Sequence, residues 1–449
     1  MVKSVFSQNE DKYGRIGLLI AVGLILVASF FRLRLYGDPR LSIAGNDTQS
    51  YVDAARVPLL SSEIMTGRRL LTTNLIYKAL EPADGYQILA NGSLETQRRV
   101  FQPGFDRIVL LQIIASIAGW GCLAFMLARY LQNPLMKVLG AVMVMLFAYL
   151  PQMADWDSIL MSESLTFSLF ALLAAITIRI AFSLYKDPHA NLTVPVIAWG
   201  IVYFFWTFLR DTNLFTTLAI VIMIVPVLLS KSYRKNKTLL TVLFLMTGTF
   251  ILGLTTVSMS VRSTVQLRNI FIGDIFPSET RVAIFQEMGM PAPKSAEFEE
   301  WLPKHGSATL LRFMLKHPGY PLLTVVQNFS MSFVEIKQTY FHMPEIKKLR
   351  AALIEIGDAI HPESTSAFLI SLLLLTGMLA FSVKDTDGRP WAWICLWLFF
   401  TASITLVPTI LGDTWALNRH ALFSTMIYRL SMWVFAIIVM DFALRRAPQ

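Results

Sequence analysis

The sequence predicts an all-α polytopic membrane protein, with about ten transmembrane helices and two long extracytoplasmic loops that carry amphipathic helices. Three observations predict it. Of 449 residues, 55% are hydrophobic and only 15% charged, where an ordinary globular protein carries about 25% charged residues. Mean hydropathy is +0.55. The charge deficit is concentrated in uncharged blocks near the length that crosses a bilayer, about 20 residues. Cut into soluble domains of about 150 residues, such a chain would leave far too much apolar surface in water.

The first block, 15–36, follows Lys3, Lys12 and Arg15 and has no small-residue cleavage site. It reads as an anchor rather than a removable signal. Further blocks run over 106–130, 133–151, 158–184, 193–210, 212–230, 238–261, 366–383, 391–411 and 420–444. Lys and Arg then set the orientation. With the N-terminus inside, the inner loops hold Arg129 and Lys137, then Lys186, then Lys231, Arg234, Lys235 and Lys237. Lys384 with Arg389 and finally Arg445 and Arg446 continue the pattern. The expected location is the cell inner membrane, with both termini cytoplasmic. Three parts follow: a transmembrane module 1–261 that includes the outer loop 37–105, an outer loop 262–365, and C-terminal helices 366–449. Within the second loop, 298–301 and 308–316 pattern as amphipathic surface helices. The apolar stretch 320–333 is short for a span, and if it crossed, every later loop would change sides.

The net charge of +9 is carried in short clusters between apolar blocks, as inner loops carry it; no nucleic-acid partner is expected. Cys122 and Cys395 both lie inside apolar blocks, so neither a disulfide framework nor a zinc site is implied. No internal repeat and no low-complexity tract is visible.

Sidedness gathers the unusual polar residues on one face. Asp47 and Asp53 fall in the first outer loop, and Asp155, Asp157 and Glu163 at the outer start of the fourth block. Arg210 and Asp211 fall at an outer hairpin, and Asp413, Arg419 and His420 at the last outer junction. An ionisable residue at membrane depth costs roughly 2.5–3.5 kcal/mol on insertion scales, which makes it a functional candidate. Several at one depth suggest a wet, outward-opening cavity.

Asp47 and Tyr51 are four apart, on one face if a helix starts there. A carboxylate at that place could take a proton from an acceptor hydroxyl; the plainer reading is a helix cap. Asp53 reads as a solvated face residue. Glu163 precedes a long apolar run, so buried it must pair, ligate a cation or lose its charge. The plainer reading is an acid favoured by the helix dipole. Asp155 and Asp157 read first as caps, and with Glu163 as oxygen ligands for a hard divalent cation such as Mg or Mn. Arg210, Arg419 and His420 suit an anion, since guanidinium grips phosphate in bidentate fashion. The competing role is snorkelling to headgroups, which outer arginines fit poorly. Arg68 and Arg69 read as surface loop residues, with Arg69 kept beside Tyr51 as a substrate-binding candidate. His305, His317 and His361 show no ligand spacing.

Taken in order, these motifs resemble the membrane GT-C glycosyltransferases, nearest the bacterial branch related to protein O-mannosyltransferases and lipid A aminoarabinose transferase. The resemblance rests on Asp47-x-x-x-Tyr51 after the first helix, Gln112 in the second block, and Leu160-Met161-Ser162-Glu163 opening the fourth. Phe208-Leu209-Arg210-Asp211 and Asn418-Arg419-His420 complete it, well over 10–260 and loosely beyond. One difference is Asp47-Thr48 where the family often has Asp-Glu. The resemblance implies a sugar moved from a polyprenyl-phosphate donor, with inversion, to an envelope glycan, glycolipid or protein on the extracytoplasmic face. It implies Asp47 as base, helped by Glu163 or Asp157 or a cation they bind. Arg210, Arg419 and His420 would meet the phosphate, membrane lipids would surround the bundle, and no nucleotide is needed.

The competing class is a secondary transporter or flippase for a lipid-linked or anionic substrate. Such proteins usually show repeats and broken midplane helices, and neither is evident here. A purely structural membrane protein would not need Glu163 and Arg210 at helix ends.

Overall fold

In the computed structural model, residues 2–94, 98–334, 348–412 and 416–446 are described. Helix α1 (Val2–Tyr36) leads into the first loop, whose helices include α2 (Thr48–Ala55) and α3 (Leu71–Leu80). There follow α4 (Asp106–Tyr130), α5 (Pro134–Tyr149), α6 (Glu163–Lys186), α7 (Thr193–Thr207), α8 (Thr216–Leu229) and α9 (Lys237–Ser258). The second loop includes α10 (Val261–Ile270), α11 (Ser307–Lys316), α12 (Gly319–Phe329) and α13 (Lys348–Ile360), before α14 (Ser366–Lys384), α15 (Arg389–Gly412) and α16 (Leu417–Arg446).

Among the described residues eight helices are long and apolar enough to cross a membrane, and one bent pair would make a ninth. The chain is a multi-pass, all-α membrane protein. Apolar side chains such as Leu19, Leu26, Phe244 and Leu373 are exposed on outward faces, where lipid takes the place of water. The last span is central, with 83% of its apolar window buried against 22% for the first.

Three boundaries differ from the sequence expectation. The block 133–151 continues past Tyr149 into residues 151–158 through a 54° bend. Pro151 forces it: the residue before a proline is pushed out of the helical region, and Leu150 sits at φ −73, ψ 156. The block 158–184 becomes helical only at Glu163, after a 3₁₀ turn at Asp155–Ser158. The block 193–210 yields a 15-residue helix that stops at Thr207, with Arg210 extended at φ −146, ψ 136. The stretch 320–333 forms the 11-residue α12. At 1.5 Å per residue that is about 16 Å, roughly half the hydrocarbon thickness.

Close helix contact is set by small residues. Gly119 of α4 faces the backbone of Ser168 in α6, where a Cβ would meet the carbonyl oxygen directly. At one end of the bundle, Asp441 accepts from Asn133 N (2.7 Å) and Gln132 N (3.1 Å) and pairs with Arg445. That end carries the basic loops; the opposite end carries the residues singled out above. In the second loop a separate small core forms around Phe271, Phe285, Phe298 and Phe313.

Candidate active site

The first loop is locked to the turn before α6. Strand β1 (Leu41–Ser42) pairs antiparallel with β4 (Val100–Phe101), and β2 (Ala44–Gly45) parallel with β3 (Asn91–Gly92). Ile43 donates to Ser158 O (2.9 Å) and accepts from Leu160 N (3.0 Å). Thr48 Oγ1 donates to Leu160 O (3.2 Å), and buried Gln112 donates to Ile159 O (3.0 Å) and Met161 O (3.2 Å). These bonds set the start of α2 beside the start of α6, and so Asp47 near Glu163.

Asp47 occupies the N-cap position of α2 but its carboxylate makes no capping bond. It is held instead between two arginines: Oδ1 lies 3.0 Å from Arg69 Nη2 and Oδ2 2.9 Å from Arg419 Nη2. Burial pushes its pKa up, and the two guanidiniums more than offset that, leaving it below the ordinary carboxylate value. Arg69 is not a surface residue. It donates through Nε to Ser50 Oγ (2.6 Å) and lies 4.1 Å over the Tyr51 ring, a desolvated cation–π arrangement. Tyr51 stacks on Tyr77 (5.4 Å between centroids).

Arg419 reaches from the first turn of α16. Besides Asp47 it donates to His420 Nε2 (2.9 Å); since a guanidinium only donates, that nitrogen accepts and the ring proton sits on Nδ1. Its Nε lies 3.9 Å from Glu163 Oε1. Glu163 is 3% exposed, and its Oε2 has no hydrogen-bond partner among the described residues. Arg210, extended just past α7, likewise keeps Nη1 buried without a partner. His420 sits among the charges of Arg210, Glu163, Asp47 and Arg69. Among the described residues three guanidiniums thus gather with two carboxylates, and Arg210 is the one without a carboxylate of its own. Asp413 lies outside the described residues.

The acidic trio read as a cation site does not converge. Asp157 is buried against Arg32 (2.8 Å) and accepts from Ser164 Oγ (2.6 Å). Asp155 pairs with Arg350 of α13 (2.6 Å). Glu163 faces Arg419 instead. Among the described residues no three His, Cys, Asp or Glu side chains are grouped to hold a metal. A buried carboxylate is satisfied by whichever cation packs against it, and here Arg32 and Arg350 arrive from distant segments. His361 is buried with Nε2 2.9 Å from Phe147 O.

Sequence reasoning missed three residues. Arg262 of α10 pairs with Asp211 (3.2 Å) and donates to Gly67 O (2.6 Å), which takes Asp211 away from Arg210 and ties both loops together. Tyr77 is buried with no partner for its hydroxyl among the described residues, and burial pushes its pKa well up. Arg32 is legible in principle as an arginine at the outer end of the first span, against the inside bias; the other two carry no local signal. Beside Arg419 a cavity of about 430 Å³ opens between the second loop and the α15–α16 junction, lined by Asp274, Tyr320, Thr324, Asn328 and Asn418 among others. Asp274 pairs there with Arg281 (2.5 Å) and accepts from Tyr320.

No protein-family model and no curated protein matches the chain. Among solved structures it is similar to the archaeal oligosaccharyltransferase AglB from Archaeoglobus fulgidus in complex with an inhibitory peptide and a dolichol-phosphate. That likeness has 11% identity and a TM-score of 0.45, over 95% of this chain and 51% of the other. It is similar also to an Archaeoglobus fulgidus oligosaccharyltransferase tethered by a disulfide to an acceptor peptide containing the NVT sequon. There the identity is 11% and the TM-score 0.45, over 95% and 50% of the two chains. This chain spans about half the length of those structures.

Proposed function

We propose that the protein is a glycosyltransferase of the GT-C kind that moves a sugar from a polyprenyl-phosphate donor to an acceptor hydroxyl on the extracytoplasmic face. One observation carries the reading: Asp47 is ion-paired to Arg69 and Arg419, and Arg210 nearby keeps its Nη1 buried without a partner among the described residues. A cluster of guanidiniums at the rim of a helical bundle suits a lipid-linked phosphate, whose apolar tail stays between helices. Charge grows on that phosphate as the glycosidic bond breaks, and fixed guanidiniums stabilise it.

In the proposed step the acceptor oxygen attacks the anomeric carbon from the face opposite the phosphate. The carbon–phosphate-oxygen bond breaks, inverting the centre, and polyprenyl phosphate leaves. The acceptor proton goes to Asp47. With both arginines on it, Asp47 is ionised but weakly basic; a donor phosphate that draws Arg419 and Arg210 to itself restores its basicity. Glu163 holds Arg419 from behind. The cavity lined by Asp274, Thr324 and Asn328 takes the acceptor, and the second loop covers it. The basic loops at the far end support the reading that this end, with both termini, lies in the cytoplasm of an inner-membrane protein.

Arg210→Ala tests the reading in membranes supplied with polyprenyl-phosphate sugars. One charge-assisted hydrogen bond is worth about 1.5–3 kcal/mol, so KM for the donor should rise about tenfold or more, with the acceptor KM unchanged. Unchanged donor kinetics would remove Arg210 from the phosphate site. Accumulation of intact donor inside vesicles without covalent transfer would favour a flippase.

A further inference from the structure

A second cavity lies at the other end of the bundle. It measures about 340 Å³ and is walled by α6, α7, α8, α9 and α15, with Ile180, Trp199, Ile224 and Trp393 among its side chains. Two of its polar groups are spent on the wall itself. Trp199 Nε1 donates to Thr177 Oγ1 (3.1 Å), and Tyr233 donates to Leu184 O (3.2 Å). Trp397 Nε1, on the same lining, is buried with no partner among the described residues.

The single charged residue on the lining is Arg389, at the start of α15. It is exposed and makes no hydrogen bond or ion pair among the described residues. The loops that meet here are basic. Residues 186–192, 230–237 and 384–389 carry seven Lys and Arg against three Asp, and Asn236 Nδ2 ties two of them through Pro188 O (2.5 Å).

Trp397 on the cavity wall clusters with Phe170, Trp206 and Phe423, the last one turn beyond Arg419 in α16, with centroids 5.1–5.7 Å apart. All four are buried.

We infer that this cavity is a binding site for an anionic phospholipid, an acyl chain inside and its phosphate on Arg389 among the basic loops. Charge complementarity selects the occupant. An apolar slot can seat any acyl chain, but its only charged edge is an unpaired guanidinium set in a positive rim. Such a rim faces the cytoplasmic leaflet, where anionic lipids reside. The inference does not rest on the glycosyltransferase reading.

The test uses the full-length protein purified in detergent and reloaded with phosphatidylglycerol or phosphatidylcholine, bound lipid being read by native mass spectrometry. The wild type should retain phosphatidylglycerol in preference. Arg389→Gln should weaken that retention about tenfold or more, one charge-assisted hydrogen bond, and Ala181→Trp, which fills the slot, should abolish it. In the unmodified protein, phosphatidylglycerol with brominated chains should quench tryptophan fluorescence, and Trp393→Phe should remove part of the quenching; this arm needs no cavity-filling variant to fold. Equal retention of the two lipids would overturn the charge argument. Retention untouched by Ala181→Trp in a folded protein, or quenching untouched by Trp393→Phe, would put the lipid on the outer surface. A co-purified lipid lost with Arg210→Ala but not with Arg389→Gln would belong to the other end of the bundle.

Discussion

Replacing Asp47 by Asn is the sharpest test of the proposed chemistry, because the change keeps shape and removes charge. In the wild type each carboxylate oxygen meets one guanidinium, at 3.0 Å and 2.9 Å. Unit charges about 4 Å apart attract by about 4 kcal/mol at an effective dielectric of 20. The side chains are 19–31% exposed, so screening and the cost of burial take back most of that. Asn still accepts one hydrogen bond, and the net loss of stability should be about 1–3 kcal/mol. A positioned general base contributes about 10²–10⁴-fold, or about 3–5.5 kcal/mol of barrier. Activity should therefore collapse while folding largely survives. The assay is loss of label from a polyprenyl-phosphate sugar in membranes, normalised to folded protein. Turnover within about tenfold of wild type would refute Asp47 as the proton acceptor. The pH dependence adds a sign. Since Arg69 and Arg419 lower the folded-state pKa of Asp47, its ion pairs contribute stability above the unfolded value of about 3.9, and this is lost only as pH falls below that through the folded value.

Three further outcomes follow from the packing. Arg32→Ala or Asp157→Ala strands a buried charge whose partner lay 2.8 Å away, so each should destabilise by about 3–5 kcal/mol, seen as a lowered melting temperature; a joint replacement by apolar residues should recover most of it, and a joint loss equal to the sum of the two single losses would refute the pairing. Burial, with Arg429 nearby, drops the His361 pKa from 6.5 to about 3. The unfolded chain thus binds a proton that the folded one refuses, and stability should fall as pH drops from 6.5 toward 3; His361→Asn should flatten that slope in a thermal-shift series. Gly119→Ala puts a methyl group on the Ser168 carbonyl, and the overpacking should cost about 1–3 kcal/mol in denaturation midpoint, where Gly248→Ala, with open space at that position, should not.

What the sequence alone determined is the class of molecule and the order of its spans. Hydropathy blocks and loop charge are local quantities, and a bilayer requires helices wherever they are long enough. For the same reason Glu163 and Arg210 stand out from sequence: a charge at a span end is conspicuous against apolar neighbours. The tertiary structure decided partners. Asp47 and Arg419 are 372 residues apart, and no local rule pairs them; Gln112 and the Ile43 bridge to Ile159 set Asp47 beside the start of α6, where Arg419 of α16 meets it. By sequence Arg69 is a loop cation and a substrate-binding candidate; packing against the Tyr51 ring makes it half of a clamp on Asp47. By sequence the acidic trio suits a cation; Arg32 and Arg350 take two of its members in the fold. Long-range electrostatics depends on which charges share a desolvated volume, and only the packed bundle sets that volume.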